Sequence, residues 1–491
     1  MIGTCFGGWD QKRRMGMKFR FLFASLFIAG LASAASYKAY YTTDSYGVLY
    51  DGVGRDWKGN IYIGAGRHSD YDAALFRYNP STDLLEKLMS VQEVCKAVSN
   101  WLSNDIAGKI HTNIKQGMDN KLYFASHRSE DAYSYAPGYR GGHLFTWDPA
   151  TSKGTDVSAP GVGANGQGIM DVALGLRHGT MYAVDETSFV YKFNLATKVL
   201  AKIFPYTTGS STRNMFDDNN GRAVAPTSYG RMLFYDPRND SMYMSKLYSL
   251  EFQRTCQRIG AVVKSASGDS IYFSGMISSG GVPVHIWRYI PSRDVMEDMG
   301  NPSPSDSSLA TTSMALRWDL NLLYYFVGGT LYSINVVTKA RATVLTGVPV
   351  GGQAISGSDG VDKNGDLWFT DKTNSSGRVY KITLGVPCAV CSTKLGYLDS
   401  AFLGVKAEEA VAPAESGGAL QAYPNPFNTA VTFKVTERAT EIRIFNTQGR
   451  MVDRLAAGRT TWRPAGLPAG VYVAEARTGR ETLRKRLFLL P

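Results

Sequence analysis

The sequence predicts an all-β chain of more than one domain. Three observations carry this. The 491 residues exceed the usual size of one domain. Short runs rich in Tyr, Phe, Val and Ile recur between Gly-containing turns, and the period of amphipathic helices is scarce. The exception is SVQEVCKAVSNWLSND at 90–105, which reads as a helix.

Residues 1–34 read as an N-terminal extension followed by an export signal. MKFRFLFASLFIAGLASA, Met17 to Ala34, has a basic start, an apolar run from Phe21 to Leu31 and a small-x-small ending at Ala32-Ser33-Ala34. The apolar run is short for a bilayer span, so no transmembrane anchor is expected in the mature chain.

A recurring unit occupies most of residues 35–400. A polar turn leads into a strand with a central aromatic, and a following strand ends in an aromatic with Asp/Asn-Pro or Asn-x-x-Thr. GNIYIGAG with ALFRYNPSTDLLEKL and NKLYFASH with HLFTWDPATSKGTDV are two copies. The anchoring aromatics are Tyr62, Tyr123, Tyr182, Tyr243, Tyr272, Tyr324 and Trp368, separated by 61, 59, 61, 29, 52 and 44 residues. Repeats of this size, each made of short strands, bury their faces only against neighbours around an axis, which is the logic of a β-propeller. Seven anchors predict seven blades; the short 29-residue interval leaves six as the alternative. Residues 401–420, rich in Ala, Glu, Gly and Pro, form a linker. In 421–491, alternating strands between Gly/Pro turns predict a small Ig-like β-sandwich.

The net charge of +11 is unevenly placed. Residues 1–34 hold five Lys/Arg and one acid, and 421–491 hold twelve and five, leaving 36 of each sign in 35–420. A neutral main domain argues against nucleic acid as a partner. Of the cysteines, Cys95, Cys256, Cys388 and Cys391 lie beyond the leader and allow up to two disulfides. Cys388-Ala-Val-Cys391 has redox-motif spacing but no helix behind it, which favours a structural clasp.

In the tail, Pro424-Asn425-Pro426-Phe427, IRIFNTQGR ending at Gly449-Arg450, Gly470-Val471-Tyr472-Val473 and a basic last strand occur in order. This series resembles the type A sorting domain of type IX secretion cargo. The resemblance implies passage through the periplasm, recognition by the type IX machinery and delivery outside the cell, with Pro424, Asn425, Pro426, Gly449, Gly470 and Tyr472 in the sorting signal. DKNGDLWFTD and the repeat pattern resemble, at the level of fold, the streptogramin lyase and gluconolactonase-like propellers. The metal-binding acidic and Asn set of gluconolactonase-like enzymes is not found at matching positions, so that activity is not carried over.

Three histidines raise the question of a site. His111 and His127 are each eight residues from Asp119 in the turn Gly117–Asn120. Strands pairing without a bulge would bring them to one open end. His143 starts the next strand at that end. Aligning Tyr243 with Tyr123 places Arg231 where His111 stands, with Arg222 and Tyr229 beside it; Arg67 and His68 leave the first repeat there, and His285 matches His143. His178 falls in a turn at the opposite face.

Such a set suits β-elimination on a uronic-acid polysaccharide: Arg neutralises the carboxylate, and His or Tyr moves the protons. The vocabulary resembles that of propeller polysaccharide lyases such as the ulvan lyases. His111, His127, Tyr229 and Arg231 are the candidate catalytic residues, and His143, Arg222, Arg67 and His68 the candidate substrate-binding residues. The alternatives are a divalent metal held by His111, His127 and His143, and a non-catalytic propeller that binds extracellular carbohydrate or serves as a surface scaffold.

Overall fold

The computed structural model describes residues 35–393 and 420–489, except 43–45, 68–71, 129–137, 206–213, 228–229, 277–283, 304–310, 353 and 374–376, and in the tail 424–426, 428, 436–440, 447–449, 468–469 and 478–481. The export signal expected within 1–34 lies outside the described residues, as do His68, Tyr229, Pro424, Asn425, Pro426 and Gly449. The chain divides into two compact units, Met1–Leu403 and Gly404–Pro491.

The first unit is built of four-stranded antiparallel sheets. Sheet one comprises Val48–Arg55, Ile61–Arg67, Asp72–Asn79 and Leu84–Ser90; sheet two Lys115–Gln116, Leu122–Ala125, Leu144–Asp148 and Lys153–Asp156. Sheet three comprises Ile169–Gly175, Thr180–Asp185, Phe189–Asn194 and Leu200–Pro205; sheet four Phe216–Asp217, Ala223–Pro226, Met232–Asp236 and Ser241–Met244. Sheet five comprises Arg258–Lys264, Ile271–Met276, Ile286–Ile290 and Val295–Gly300; sheet six Thr312–Arg317, Leu322–Val327, Thr330–Asn335 and Arg341–Leu345. Sheet seven takes Ala354–Ser358, Leu367–Lys372 and Val379–Thr383 from the end of the unit and Ser36–Tyr40 from its start, with Tyr40 opposite Val379. Sheets six and seven join through parallel pairing of their first strands, Thr312 opposite Ser356.

Successive first strands neighbour one another, and the first strand of sheet seven returns to that of sheet one. The ring is propeller-like. Most of its inner strands are buried on both faces, as Val48–Arg55 is throughout, whereas the outermost strand of sheet four, Ser241–Met244, is largely exposed. The core lies between sheets: Tyr62 and Leu75 of sheet one pack with Phe124, Phe145 and Trp147 of sheet two. Removing both faces of these inner strands from water is what the apolar, β-branched and aromatic strand content drives.

The aromatic repeat locates six of its seven second strands. Tyr243 is the exception, since it lies in the fourth strand of sheet four and is partly exposed. The residue equivalent to Tyr123 is Val224, because Phe216 faces Val224 as Lys115 faces Tyr123. A better marker was the turn. Asp56-x-x-Gly59, Asp218-x-x-Gly221 and Asp362-x-x-Gly365 precede Tyr62, Val224 and Trp368 by the same spacing. In each, the Asp Oδ1 accepts two backbone N–H groups. The glycine sits at φ +74, +72 or +87, which a side chain would strain.

Two short helices stand between sheets. Val91–Ala97, capped by Ser90, links sheets one and two and covers only the first part of the helix expected at 90–105. Leu250–Thr255, capped by Ser249, links sheets four and five and is too short for its period to show in sequence. Cys388 and Cys391 form a disulfide packed on the sheet-seven core, while Cys95 and Cys256 are buried free thiols.

The second unit is a β-sandwich. A three-stranded sheet, Leu420–Tyr423, Val431–Val435 and Thr461–Trp462, and a four-stranded sheet, Met451–Ala456, Glu441–Asn446, Gly470–Arg477 and Thr482–Leu489, enclose Phe433, Ile444, Trp462, Tyr472 and Leu487. Trp462 also donates its indole N–H to Asp453 at 2.8 Å.

Candidate functional site

The ring has two chemically distinct ends. Second strands finish and third strands begin at the loop end; the Asp-x-x-Gly turns mark the turn end.

At the loop end, close backbone approach brings His111 inward. A Cβ on Gly66 would lie 1.9 Å from the Gly108 carbonyl, so glycine there lets segment 108–114 lie against sheet one. The hairpin expected around Asp119 forms, but with a bulge: Lys109, not His111, pairs with His127. The two imidazoles still meet, with ring centres 5.3 Å apart. His111 donates from Nδ1 to the Met170 carbonyl at 3.2 Å and lies 3.6 Å from Asp51, its ring 4.8 Å from that of Tyr50. His127 donates from Nδ1 to the Arg128 carbonyl and lies 3.5 Å from Glu186, which also pairs with Arg128. A Cβ on Gly168 would come within 2.8 Å of the His127 ring, so this position must be small. Lys109 and Lys372, both buried, place their ammonium groups 3.8 and 4.7 Å from the Tyr50 ring centre.

The other expected residues do not join this pair. His143 is buried outside it, with Asp156 at 3.0 Å, Asp105 at 3.8 Å and Cys95 at 3.7 Å, so the three-histidine metal set is not assembled. Arg231 immediately precedes the third strand of sheet four, which is the place of His143 rather than of His111, and it donates to the Ser245 carbonyl at 2.8 Å. Arg222 belongs to the turn end: it follows Gly221, donates to Asp218 at 2.6 Å and lies over Phe234. Both misplacements follow from aligning Tyr243, a fourth-strand residue, with Tyr123. Arg67 does leave sheet one at the loop end, where it stacks on Tyr46 at 4.6 Å. His285 matches His143 in position, and His178, at the turn end, hydrogen-bonds the Asn220 carbonyl.

The turn end holds what the sequence did not reveal, an axial cavity of about 110 Å³. The ends of first strands line it, with Arg55, Lys115, Phe216, Lys264 and Asp359 among its residues. Its floor is a hydrogen-bonded crossing of the axis. Asn113 accepts from Ser358 N–H at 3.1 Å and donates to Asn214, and Asn214 donates to the Gly260 carbonyl at 2.7 Å. Most charges are paired: Lys115 with Asp171 at 2.9 Å and Lys264 with Asp217 at 2.7 Å. Asp171 is fully buried and also accepts from the N–H groups of Asn113 and Met215, so one carboxylate ties three sheets; its burial raises its pKa. Asp359 differs. Among the described residues no donor hydrogen-bonds its carboxyl, and desolvation raises its pKa to about 6 against the pull of Arg55 and Lys264.

Residues 421–489 match the secretion system C-terminal sorting domain. The tail is a type IX sorting domain. Its presence means that the chain is exported to the cell surface or secreted, and among the described residues no helix is long and apolar enough to cross a membrane. The sorting domain's described signal residues are consistent with a packed fold: Tyr472 is in the sandwich core and Gly470 begins the strand that contains it. No curated protein matches the chain. Among solved structures, a catalytically inactive virginiamycin B lyase from Staphylococcus aureus with quinupristin has a TM-score of 0.48 at 10% identity, covering 71% of this chain and 99% of its own. The extracellular domain of a hybrid two-component system from B. thetaiotaomicron has 0.45 at 12%, covering 93% and 59%. A chain of the mitotic checkpoint complex has 0.45 at 8%, covering 70% and 91%.

Proposed function

We propose that this exported protein is a binding propeller whose ligand, a neutral extracellular carbohydrate, docks in the axial cavity at the turn end. The observation that carries the reading is Asp359, an acceptor left open in a half-buried cavity whose other charges are largely paired. Sugar hydroxyls both donate and accept, so the Asp359 carboxylate and the Lys264 ammonium suit them together. Export by the signal peptide and sorting domain would bring this cavity to extracellular glycans. The test is calorimetry of the mature protein against a panel of neutral oligosaccharides. Binding weakened at least tenfold by Asp359→Asn supports the reading. Binding unaffected by that change, or confined to acidic glycans, overturns it.

A catalytic reading keeps one observation in its favour: His111 and His127 are adjacent. In it, the histidines move the protons of β-elimination and Tyr229 assists, without Arg231. Ultraviolet absorbance of unsaturated products on acidic polysaccharides tests this directly. Absence of product across the panel, with the protein folded, would end it.

A further inference from the structure

We propose that Cys95, His143 and Asp156 form a buried three-ligand site for one divalent transition metal, zinc by its ligand chemistry, at the junction of the first helix and sheet two. Cys95 comes from the helix Val91–Ala97, His143 immediately precedes the third strand of sheet two, and Asp156 ends its fourth strand. All three are buried.

Their spacing suits coordination. Cys95 Sγ lies 3.7 Å from His143 Nδ1 and 3.4 Å from Asp156 Oδ2, and those last two atoms are 3.0 Å apart. Zinc bonds of about 2.3 Å to sulfur and about 2.0–2.1 Å to nitrogen or oxygen give tetrahedral edges of about 3.3–3.6 Å. Shifts of a few tenths of an ångström would therefore complete three vertices. The fourth faces the Asn100 side chain, whose Nδ2 is 3.2 Å from His143 Nδ1 and 2.6 Å from Asp156 Oδ2.

The outer groups are arranged to match. Among the described residues no group hydrogen-bonds the buried His143 Nε2, which lies 3.8 Å from Asp105, and Arg140 holds that carboxylate at 3.1 Å. A carboxylate behind the far nitrogen of a ligating histidine is the usual support that orients the ring. Charge also balances. Binding the dication displaces the Cys95 thiol proton, and the resulting thiolate with the Asp156 carboxylate offsets two positive charges.

Sheet five provides an internal comparison. His285 occupies the place of His143, with Asp298 at 2.9 Å and Glu251 at 3.8 Å, so a histidine between two carboxylates recurs there. That copy is more exposed, and the nearby Cys256 Sγ instead contacts the Arg258 carbonyl at 3.5 Å. The thiol aimed at the His–Asp pair is specific to sheet two.

The experiment uses the mature protein with Cys95 and Cys256 as free thiols and the Cys388–Cys391 disulfide intact, stripped of metal and titrated anaerobically with Co²⁺. The expected result is one Co²⁺ per chain with a thiolate-to-cobalt charge-transfer band and the intense visible bands of tetrahedral cobalt. Cys95→Ser abolishes the charge-transfer band and Cys256→Ser retains it, both variants being checked for folding by circular dichroism. Zn²⁺ raises the Tm of the parent and of Cys256→Ser but not of Cys95→Ser. A folded parent with this disulfide intact that shows no such band, or a Cys95→Ser variant that keeps it, overturns the proposal.

Discussion

Asp359→Asn should make the protein more stable at neutral pH while weakening its ligand binding. The folded-state pKa is raised from 3.8 to about 6 by desolvation, with Arg55 and Lys264 opposing. Because the folded protein holds this proton more tightly than the unfolded chain, stability falls as pH rises between those two values. The full cost, present above about pH 6, is on the order of 3 kcal/mol at about 1.4 kcal/mol per pKa unit. Asparagine removes the charge, nearly preserves the shape and tolerates the left-handed backbone at this position, where φ is +61. Urea unfolding of parent and variant should therefore give near-equal stabilities at pH 4 and a variant advantage of about 2–3 kcal/mol at pH 7. A difference independent of pH, or a variant less stable at pH 7, would refute the argument that this carboxylate is held at a cost to folding. Carboxylates kept ionised against burial are characteristic of sites that need them.

Three further outcomes follow from the packing and the tail. Asp171→Ala strands the N–H groups of Asn113 and Met215 and one partner of Lys115, and urea unfolding should show a loss of about 3 kcal/mol; a loss below about 0.5 kcal/mol would contradict the three-sheet role given to this residue. Gly168→Ala places a methyl within 2.8 Å of the His127 ring, so thermal unfolding should report destabilisation of about 1–3 kcal/mol, and an unchanged Tm would show that the ring is not held there. Removal of residues 421–491 should leave the remaining chain folded in the periplasm and absent from the medium and cell surface. Cell fractionation checks this, and normal export of the truncated chain would contradict the role of the sorting domain.

Local chemistry alone determined much of this protein. The strands, their aromatic centres and the need of each sheet to bury two faces follow from composition and spacing. The sorting domain was readable because its motifs are local and ordered, and the pairing of Cys388 with Cys391 needs only four consecutive residues. The Asp-x-x-Gly turns were also legible, and would have placed Val224 rather than Tyr243 in the second strand of sheet four. Aligning Tyr243 instead puts Arg222 at the wrong end of the ring and Arg231 at the right end but in the place of His111 rather than of His143, because a strand's end can be assigned only once its order in the sheet is known. Tertiary structure decided the rest. The bulge opposite His127 preserved its contact with His111 although the pairing changed, and His143 turned to Cys95 and Asp156, which no spacing foretold. Asp359 acquired its character only when ring closure removed water from its side and brought Arg55 and Lys264 near. Burial and charge pairing are properties of the closed ring, summed over sheets hundreds of residues apart, and no stretch of chain contains them.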